Sequence, residues 1–261
     1  MTPSTLIIDR AGAVATVTLN RPAVRNAFNA ASIAELTTAF THLGGDDSVR
    51  AIVLRAEGKA FCAGADLHWM QQMADFNDAE NLADARQLAH MLQTIYLCPK
   101  PVVTRVQGDC YAGGMGLVAA CDIAIAADHA QFCLSEVKLG LIPATISPYV
   151  ISAMGQNTAR RYFLTAERFD AVEAVRIGFV QQAVPLAQLD TTLQPILDAL
   201  CNASPHAVRE AKRLVREIGG QPLTAALIDD TAARIAAIRG SDEGREGVRA
   251  FLEKRAPSWL T

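Results

Sequence analysis

Two short segments constrain this chain more than any others. Phe61-Cys62-Ala63-Gly64-Ala65-Asp66 and Gly108-Asp109-Cys110-Tyr111-Ala112-Gly113-Gly114-Met115-Gly116 each close an apolar, strand-like run with small residues, and each leads into a stretch that can start a helix. Small residues at such a corner leave backbone N–H groups uncovered, and unpaired N–H groups at a helix start attract negative charge. Two such corners facing one point make an oxyanion hole built from main chain. Glu136, further along, supplies a candidate acid/base.

Around these corners the pattern alternates between strand and helix. Leu6–Asp9 and Val14–Leu19 read as a hairpin turned at Ala11-Gly12-Ala13, and Asn20-Arg21-Pro22 ends it. Apolar residues at helical spacing predict helices over Ala31–Leu43, stopped by Gly44-Gly45, and over Asp78–Leu97, broken by Pro99-Lys100-Pro101. Ala51–Leu54, Val102–Val106, Ile123–Ala126 and Ala130–Leu134 predict buried strands. This alternation implies an α/β core with a parallel sheet covered on both faces. From about Pro195 the pattern is helix alone, over Ala207–Ile218, Gln221–Arg239 and Glu243–Arg255. The apolar faces of that tail need a partner, either the core or another subunit.

Composition excludes some functions. Half the 261 residues are apolar (51%) and a fifth are charged (20%), an ordinary balance for a soluble enzyme. The net charge of −3, from 24 basic and 27 acidic residues with no basic block, argues against nucleic acid as a partner. No apolar run reaches membrane-spanning length and no secretory signal is visible at the N-terminus, so a cytoplasmic location is expected. The six cysteines show no metal-ligand spacing and no C-x-x-C pair, as in a reduced, cytosolic protein without a metal site. Cys62 and Cys110, beside the corners, are conceivable nucleophiles, but neither has a recognisable base alongside.

The glycine cluster has rival readings. It could be a close packing corner and nothing more. Gly114-x-Gly116-x-x-Ala119 also matches the dinucleotide fingerprint, with Glu136 following 20 residues past Gly116. That reading requires a tight strand-to-helix turn, whereas the predicted strand ends near Val106, and it leaves residues 61–66 unexplained.

A wider pattern is more specific. Leu19-Asn20-Arg21-Pro22, Arg25-Asn26-Ala27, both corners, Cys121-Asp122, Glu136, Leu139-Gly140-Leu141-Ile142-Pro143 and Phe251-Leu252-Glu253-Lys254-Arg255 follow one another in an order that resembles the crotonase (enoyl-CoA hydratase/isomerase) superfamily over nearly the whole chain. The resemblance implies an α/β, ClpP-like spiral of ββα turns over residues 1–195 carrying the active site. It also implies a helical region over 196–261 for trimerisation, often into hexamers, and for CoA contact. It places the oxyanion hole at the N–H groups of Ala65 and Gly113 and the general acid/base at Glu136. Arg25, Ala27, Ala63, Asp66, Leu67 and His68 would contact CoA, and Lys254 would reach a neighbouring subunit's CoA phosphate. The substrate would be an acyl-CoA thioester, with no cofactor beyond the CoA it carries.

Two departures from the pattern matter. Hydratases of the family use two glutamates, and the position of the first is Gly116 here. A glycine inside a helix costs about 1 kcal/mol relative to alanine, so close packing or extra room for a branched acyl group must compensate. With Gly116 in that place, water falls to Glu136 alone or to Glu136 with Asp109, Tyr111, Ser147 or Tyr149. The second departure is Ala144-Thr145-Ile146-Ser147-Pro148-Tyr149, where many members carry glycines. Together with Phe132–Val137 and Trp69-Met70, it resembles the branch that hydrates 3-methylglutaconyl-CoA or isohexenylglutaconyl-CoA, in leucine or acyclic-terpene breakdown. Arg86, His90, Lys138 and Arg160 are candidate cations for the second carboxylate of such a substrate. The alternatives are an enoyl-CoA isomerase with Glu136 as sole proton shuttle, and a non-catalytic or RNA-binding homologue, which the acidic balance disfavours.

Overall fold

The computed structural model describes residues 4–260. β1 (Leu6–Ala11) and β2 (Val14–Leu19) form the expected antiparallel hairpin, with Ala11 paired to Val14. From β2 onward one motif repeats: a strand enters a large sheet, a shorter extended segment follows, and helix returns the chain. α1 (Ala30–Gly45) leads to β3 (Ala51–Ala56), and α2 (Leu67–Ala74) with α3 (Asp78–Leu97) leads to β4 (Val102–Val106). β5 (Cys110–Tyr111) and α4 (Gly113–Ala120) lead to β6 (Ile123–Ala127). The last turn is longer: β7 (Gln131–Cys133), a 3₁₀ turn at Glu136–Leu139, α5 (Ser147–Met154), α6 (Gln156–Thr165), β8 (Phe169–Asp170) and α7 (Ala171–Arg176) lead to β9 (Gln182–Val184). α8 (Leu189–Asn202), α9 (Pro205–Ile218), α10 (Ala225–Gly240) and α11 (Asp242–Leu252) complete the chain.

The large sheet runs β1-β2-β3-β4-β6-β9, and every pair after the hairpin is parallel. The short segments form a second layer, β5-β7-β8. It is continued by single parallel bridges, Cys62 to Cys110 and Phe28 to Ala65. Successive turns therefore stack in both layers, which is the ββα spiral of the crotonase fold. Local chemistry starts the helices where they are needed: Asn29 and Asn77 each accept an N–H of the first turn in a reciprocal capping box, with Ser32 and Glu80.

The main core packs one face of the large sheet against α1, α3 and α4 through fully buried Phe40, Ile52, Leu54, Leu92 and Leu117. On the other face, Val103, Ile125 and Ala127 meet Leu189 and Leu193 of α8. This corrects the expected division at residue 195, because Pro195 lies inside α8 and that helix belongs to the core. The tail proper is α9–α11.

One ion pair fastens the tail to the core. Lys212 of α9 reaches Asp122 at 2.7 Å and donates to the Lys100 carbonyl at 3.0 Å, while Asp122 also accepts the Val102 N–H at 2.7 Å. Leu223, Phe251 and Leu252 of the tail stay exposed in the single chain. Among the described residues, no helix is long and apolar enough to cross a membrane.

Asp122→Ala leaves the Lys212 ammonium, whose side chain is only 10% exposed, without its partner. The expected loss is about 2 kcal/mol, below that of a fully buried pair because Asp122 is partly wet. Lys212→Met, which keeps the hydrocarbon stem, should lose less. Urea unfolding of the two variants checks this, and equal losses would contradict it.

Candidate active site

Parallel stacking brings the two corners side by side. Tyr111 donates its N–H to the Cys62 carbonyl at 2.8 Å, and Phe61 donates to Asp109 at 2.9 Å. On the far side the first corner is zipped to the preceding turn: Ala63 donates to Arg25 (3.0 Å), Phe28 to Gly64 (2.6 Å) and Asp66 to Phe28 (2.7 Å). That pattern uses the N–H groups of residues 63 and 66 and skips Ala65. In the next turn Ala112 donates to Cys133 and Met115 to Ala112, and Gly113, the first residue of α4, is skipped. Among the described residues, the N–H groups of Ala65 and Gly113 have no hydrogen-bond partner.

The approach is close. A Cβ added at Gly64 would lie 3.0 Å from the Ala112 Cβ and 3.7 Å from the Gly113 nitrogen, and Gly64 itself sits at φ +91. A Cβ at Gly113 would meet the Phe28 ring at 2.8 Å. Ala112 adopts φ 47, ψ −122, a conformation that costs an L-residue on the order of 1–3 kcal/mol. Its ψ sets the peptide plane that carries the Gly113 N–H.

Asp66 holds the first corner in place. It is 5% exposed, accepts Arg21 at 2.7 Å, and caps α2 through the His68 N–H at 2.9 Å. Burial alone would raise its pKa, but the Arg21 and His68 hydrogen bonds outweigh that and keep it below the usual carboxylate range. Arg21 also donates to the Ala27 carbonyl. Asp66 is held by Arg21 and the helix start, and Ala27 is buried with its carbonyl accepting from Arg21. Arg25, Leu67 and His68 are exposed on the same loops, with Ala63 half-buried between them. Lys254 is exposed just beyond α11 at φ +54, and its side chain has no ion pair among the described residues.

Glu136 comes from the corresponding corner of the third turn, directly after β7. Its Oε2 is buried without a hydrogen-bond partner, and no ion pair forms with the exposed Lys138. Burial pushes its pKa up, only partly offset by its own backbone N–H. A carboxylate held in this way is poised to take and return a proton.

Gly116 does not open space. A Cβ there would lie 2.2 Å from Ile146 Cγ2 and 2.8 Å from Ile146 Cβ, with Leu92 next at 3.6 Å. Gly116 is buried and Ile146 is 2% exposed, so close packing explains the glycine, and the reading of it as room for an acyl branch is corrected. Three of the polar neighbours proposed to help Glu136 are engaged elsewhere: Tyr111 donates to Asp109 at 2.8 Å, and Ser147 donates to the Ala144 carbonyl at 2.8 Å. The Tyr149 ring packs edge-on to Tyr96 at 5.2 Å. Cys62 and Cys110 are fully buried, and burial raises the Cys62 thiol to about 12 and that of Cys110 well above its usual value, so neither is a nucleophile. Among the described residues, no group of His, Cys, Asp and Glu could hold a metal.

An α/β spiral that ends three consecutive turns on an amide, an amide and a desolvated carboxylate defines a class of acyl-transforming enzymes, and comparison with known proteins agrees. Residues 9–261 match the enoyl-CoA hydratase/isomerase family, to which the chain belongs. A crystal structure of an enoyl-CoA hydratase from Shewanella pealeana is 44% identical, with a TM-score of 0.95 over 98% of this chain and 96% of that one. A putative enoyl-CoA hydratase from Thermus thermophilus is 33% identical over 94% of this chain and 97% of its own length. The 2,3-dehydroadipyl-CoA hydratase of Escherichia coli is 32% identical over 98% of both.

Two stability experiments test this geometry. A carboxylate whose pKa is raised by folding destabilises the fold wherever it is ionised. The penalty is absent below the unfolded pKa of about 4.3 and grows as pH rises through the folded value. Glu136→Gln should therefore be more stable than the parent at pH 8, on the order of 1 kcal/mol, with the difference vanishing toward pH 4. A gain that grows on acidification would contradict the burial of Glu136. Separately, Gly116→Ala should cost about 1–3 kcal/mol by overpacking. In Ile146→Ala protein the same change should cost much less, and strictly additive losses would show that the two residues do not share space.

Proposed function

We propose that the chain is a hydratase that adds water across the 2,3 double bond of an enoyl-CoA with a branched, glutaconyl-type acyl group, 3-methylglutaconyl-CoA being the reference substrate. One observation carries the reading: a desolvated carboxylate at Glu136, its Oε2 without a partner, comes from the turn next to two unpaired amides, Ala65 and Gly113. The thioester oxygen accepts both N–H groups. Glu136 takes a proton from water as the water oxygen bonds to C3, and the electron pair of the double bond passes to the thioester as an enolate. Removing one such amide donor typically costs about 3–4 kcal/mol of transition-state stabilisation. Glu136 then returns the proton to C2. Every proton passes through Glu136, so the reaction calls for no metal or separate cofactor.

The glutaconyl assignment is supported by the run Phe132–Val137 and by Ile146-Ser147-Pro148. It is also supported by the relative whose name specifies 2,3-dehydroadipyl-CoA, the thioester of a dicarboxylic acid. Arg25, Leu67 and His68 are free to meet CoA, and Lys254 is free to reach the CoA of a neighbouring copy. Exposed Leu223, Phe251 and Leu252 suit burial in a trimer or hexamer. Free cysteines fit a cytoplasmic setting. The filled position at Gly116 favours a second reading, an isomerase that moves one proton between carbons with Glu136 alone.

Mass spectrometry of 3-methylglutaconyl-CoA incubated with the protein in D₂O separates the two. Hydration gives a product heavier by one water with deuterium fixed at C2, whereas deuterium uptake without added water makes the protein an isomerase. Glu136→Gln should lower kcat by about 10²–10⁴ with CoA binding retained. Turnover close to that of the parent would remove Glu136 from the mechanism.

A further inference from the structure

A water that attacks carbon must have its lone pair aimed, which requires both of its hydrogens to be held. Glu136 can hold one. One helical turn beyond Gly113, where a side chain could hold the other, Gly116 offers nothing and the space is filled by Ile146, with Leu92 behind it. Ile146 is fixed in this position as the residue that precedes α5, and it is almost fully buried. The hydroxyls of Tyr111 and Ser147 are turned to other partners, Asp109 and the Ala144 carbonyl. The thiol of Cys133, three residues before Glu136, donates to the Ala166 carbonyl. Glu136 thus offers an unpartnered carboxylate oxygen, while the position one turn past Gly113 is filled by hydrocarbon.

We propose that the substrate supplies the second carboxylate, an inference that rests on the hydratase reading above. In a glutaconyl-type thioester the terminal acid is attached one carbon from C3, the atom that water attacks. Its oxygen can accept the hydrogen of the water that Glu136 does not take. During the reaction the water O–H bond to Glu136 breaks and the C3–O bond forms. The π pair moves to the thioester oxygen between Ala65 and Gly113, and Glu136 returns its proton to C2. The terminal carboxylate orients the water and remains ionised throughout, so no proton or electron is left over. Ile146 is then a specificity-determining residue: by denying the place to a protein carboxylate, it makes turnover depend on an acid in the substrate.

The test compares the unmodified protein on 3-methylglutaconyl-CoA and on 3-methylpent-2-enoyl-CoA, which has a methyl group in place of the terminal carboxylate. If the acid orients water, kcat for the alkyl thioester falls at least about 100-fold, within the range of lost acid–base assistance, and the terminal amide falls between the two. If the acid is only a binding handle, KM rises while kcat stays within about threefold, and the proposal is overturned with the hydratase reading intact. If neither substrate takes up water, the hydratase reading itself fails. A second arm uses Gly116→Glu with Ile146→Gly, which exchanges the plug for a carboxylate. Provided its circular dichroism is native, kcat on the alkyl thioester should rise at least about tenfold, and no rise counts against the assignment of Ile146. The substrate comparison decides the matter even if that variant does not fold.

Discussion

The structure depends on the in-register stacking of successive parallel turns. Strands in one layer lie about 4.8 Å apart, so equivalent points of consecutive turns are neighbours whatever their distance in sequence. Residues 62–65, β5 and β7 occupy equivalent points in three turns, joined by the bridge from Cys62 to Cys110 and the pairing of Tyr111 with Cys133. Each ends where the chain must leave the layer. At such an exit the backbone cannot continue its ladder, and polar groups fall free. Ala65 N–H, Gly113 N–H and Glu136 are the groups left at three adjacent exits. The candidate site is thus a by-product of how a spiral ends its short strands.

Free groups of this kind are costly, and the fold carries the cost in identifiable places. Ala112 is held in a conformation suited to glycine, Glu136 Oε2 is buried without a partner, and Asp66 is removed from water. Only Asp66 is compensated locally, by Arg21 and the start of α2. The other two are sustained by the surrounding core, in which Leu92, Met115, Leu117 and Phe132 are fully buried. The asymmetry has a chemical logic. Asp66 positions, and positioning benefits from saturation with hydrogen bonds. A general acid/base, the role proposed for Glu136, must change its protonation state, and every hydrogen bond to its ionised form would resist that change.

Much of the fold was legible because its signals are local. The hairpin, α1, α3, β4 and β6 lie within one to three residues of where periodicity put them, since each carries enough residues to show a period. β5 and β8 have two residues each and no period to read. Without β5, the strand signal before the second corner ends at Val106. Pro195 reads as a boundary, yet it is tolerated inside α8 because Leu189 and Leu193 already anchor that helix to the sheet. Within the site, the two corners were visible as clusters of small residues and Glu136 as a carboxylate after an apolar run. The role of Asp66 was not, because its partner Arg21 lies 45 residues away.

Gly116 was ambiguous for a deeper reason. A glycine in a helix reports that a side chain is absent and says nothing about what occupies the place, which may be water, ligand or a neighbour. The second departure in the sequence, Ile146 in a loop otherwise expected to be glycine-rich, resolves it, and neither departure can be interpreted alone. Gly116 without Ile146 would leave a void beside Leu92, and Ile146 without Gly116 would clash with any side chain on that face of α4. Interiors are packed too closely for either change to stand uncompensated. The pair is therefore one structural unit, and its chemical consequence is a hydrocarbon plug where a side chain of α4 would otherwise project. Charge removed from the protein at that point has to be supplied by the ligand or dispensed with, which ties the choice between hydration and isomerisation to what the acyl group itself carries.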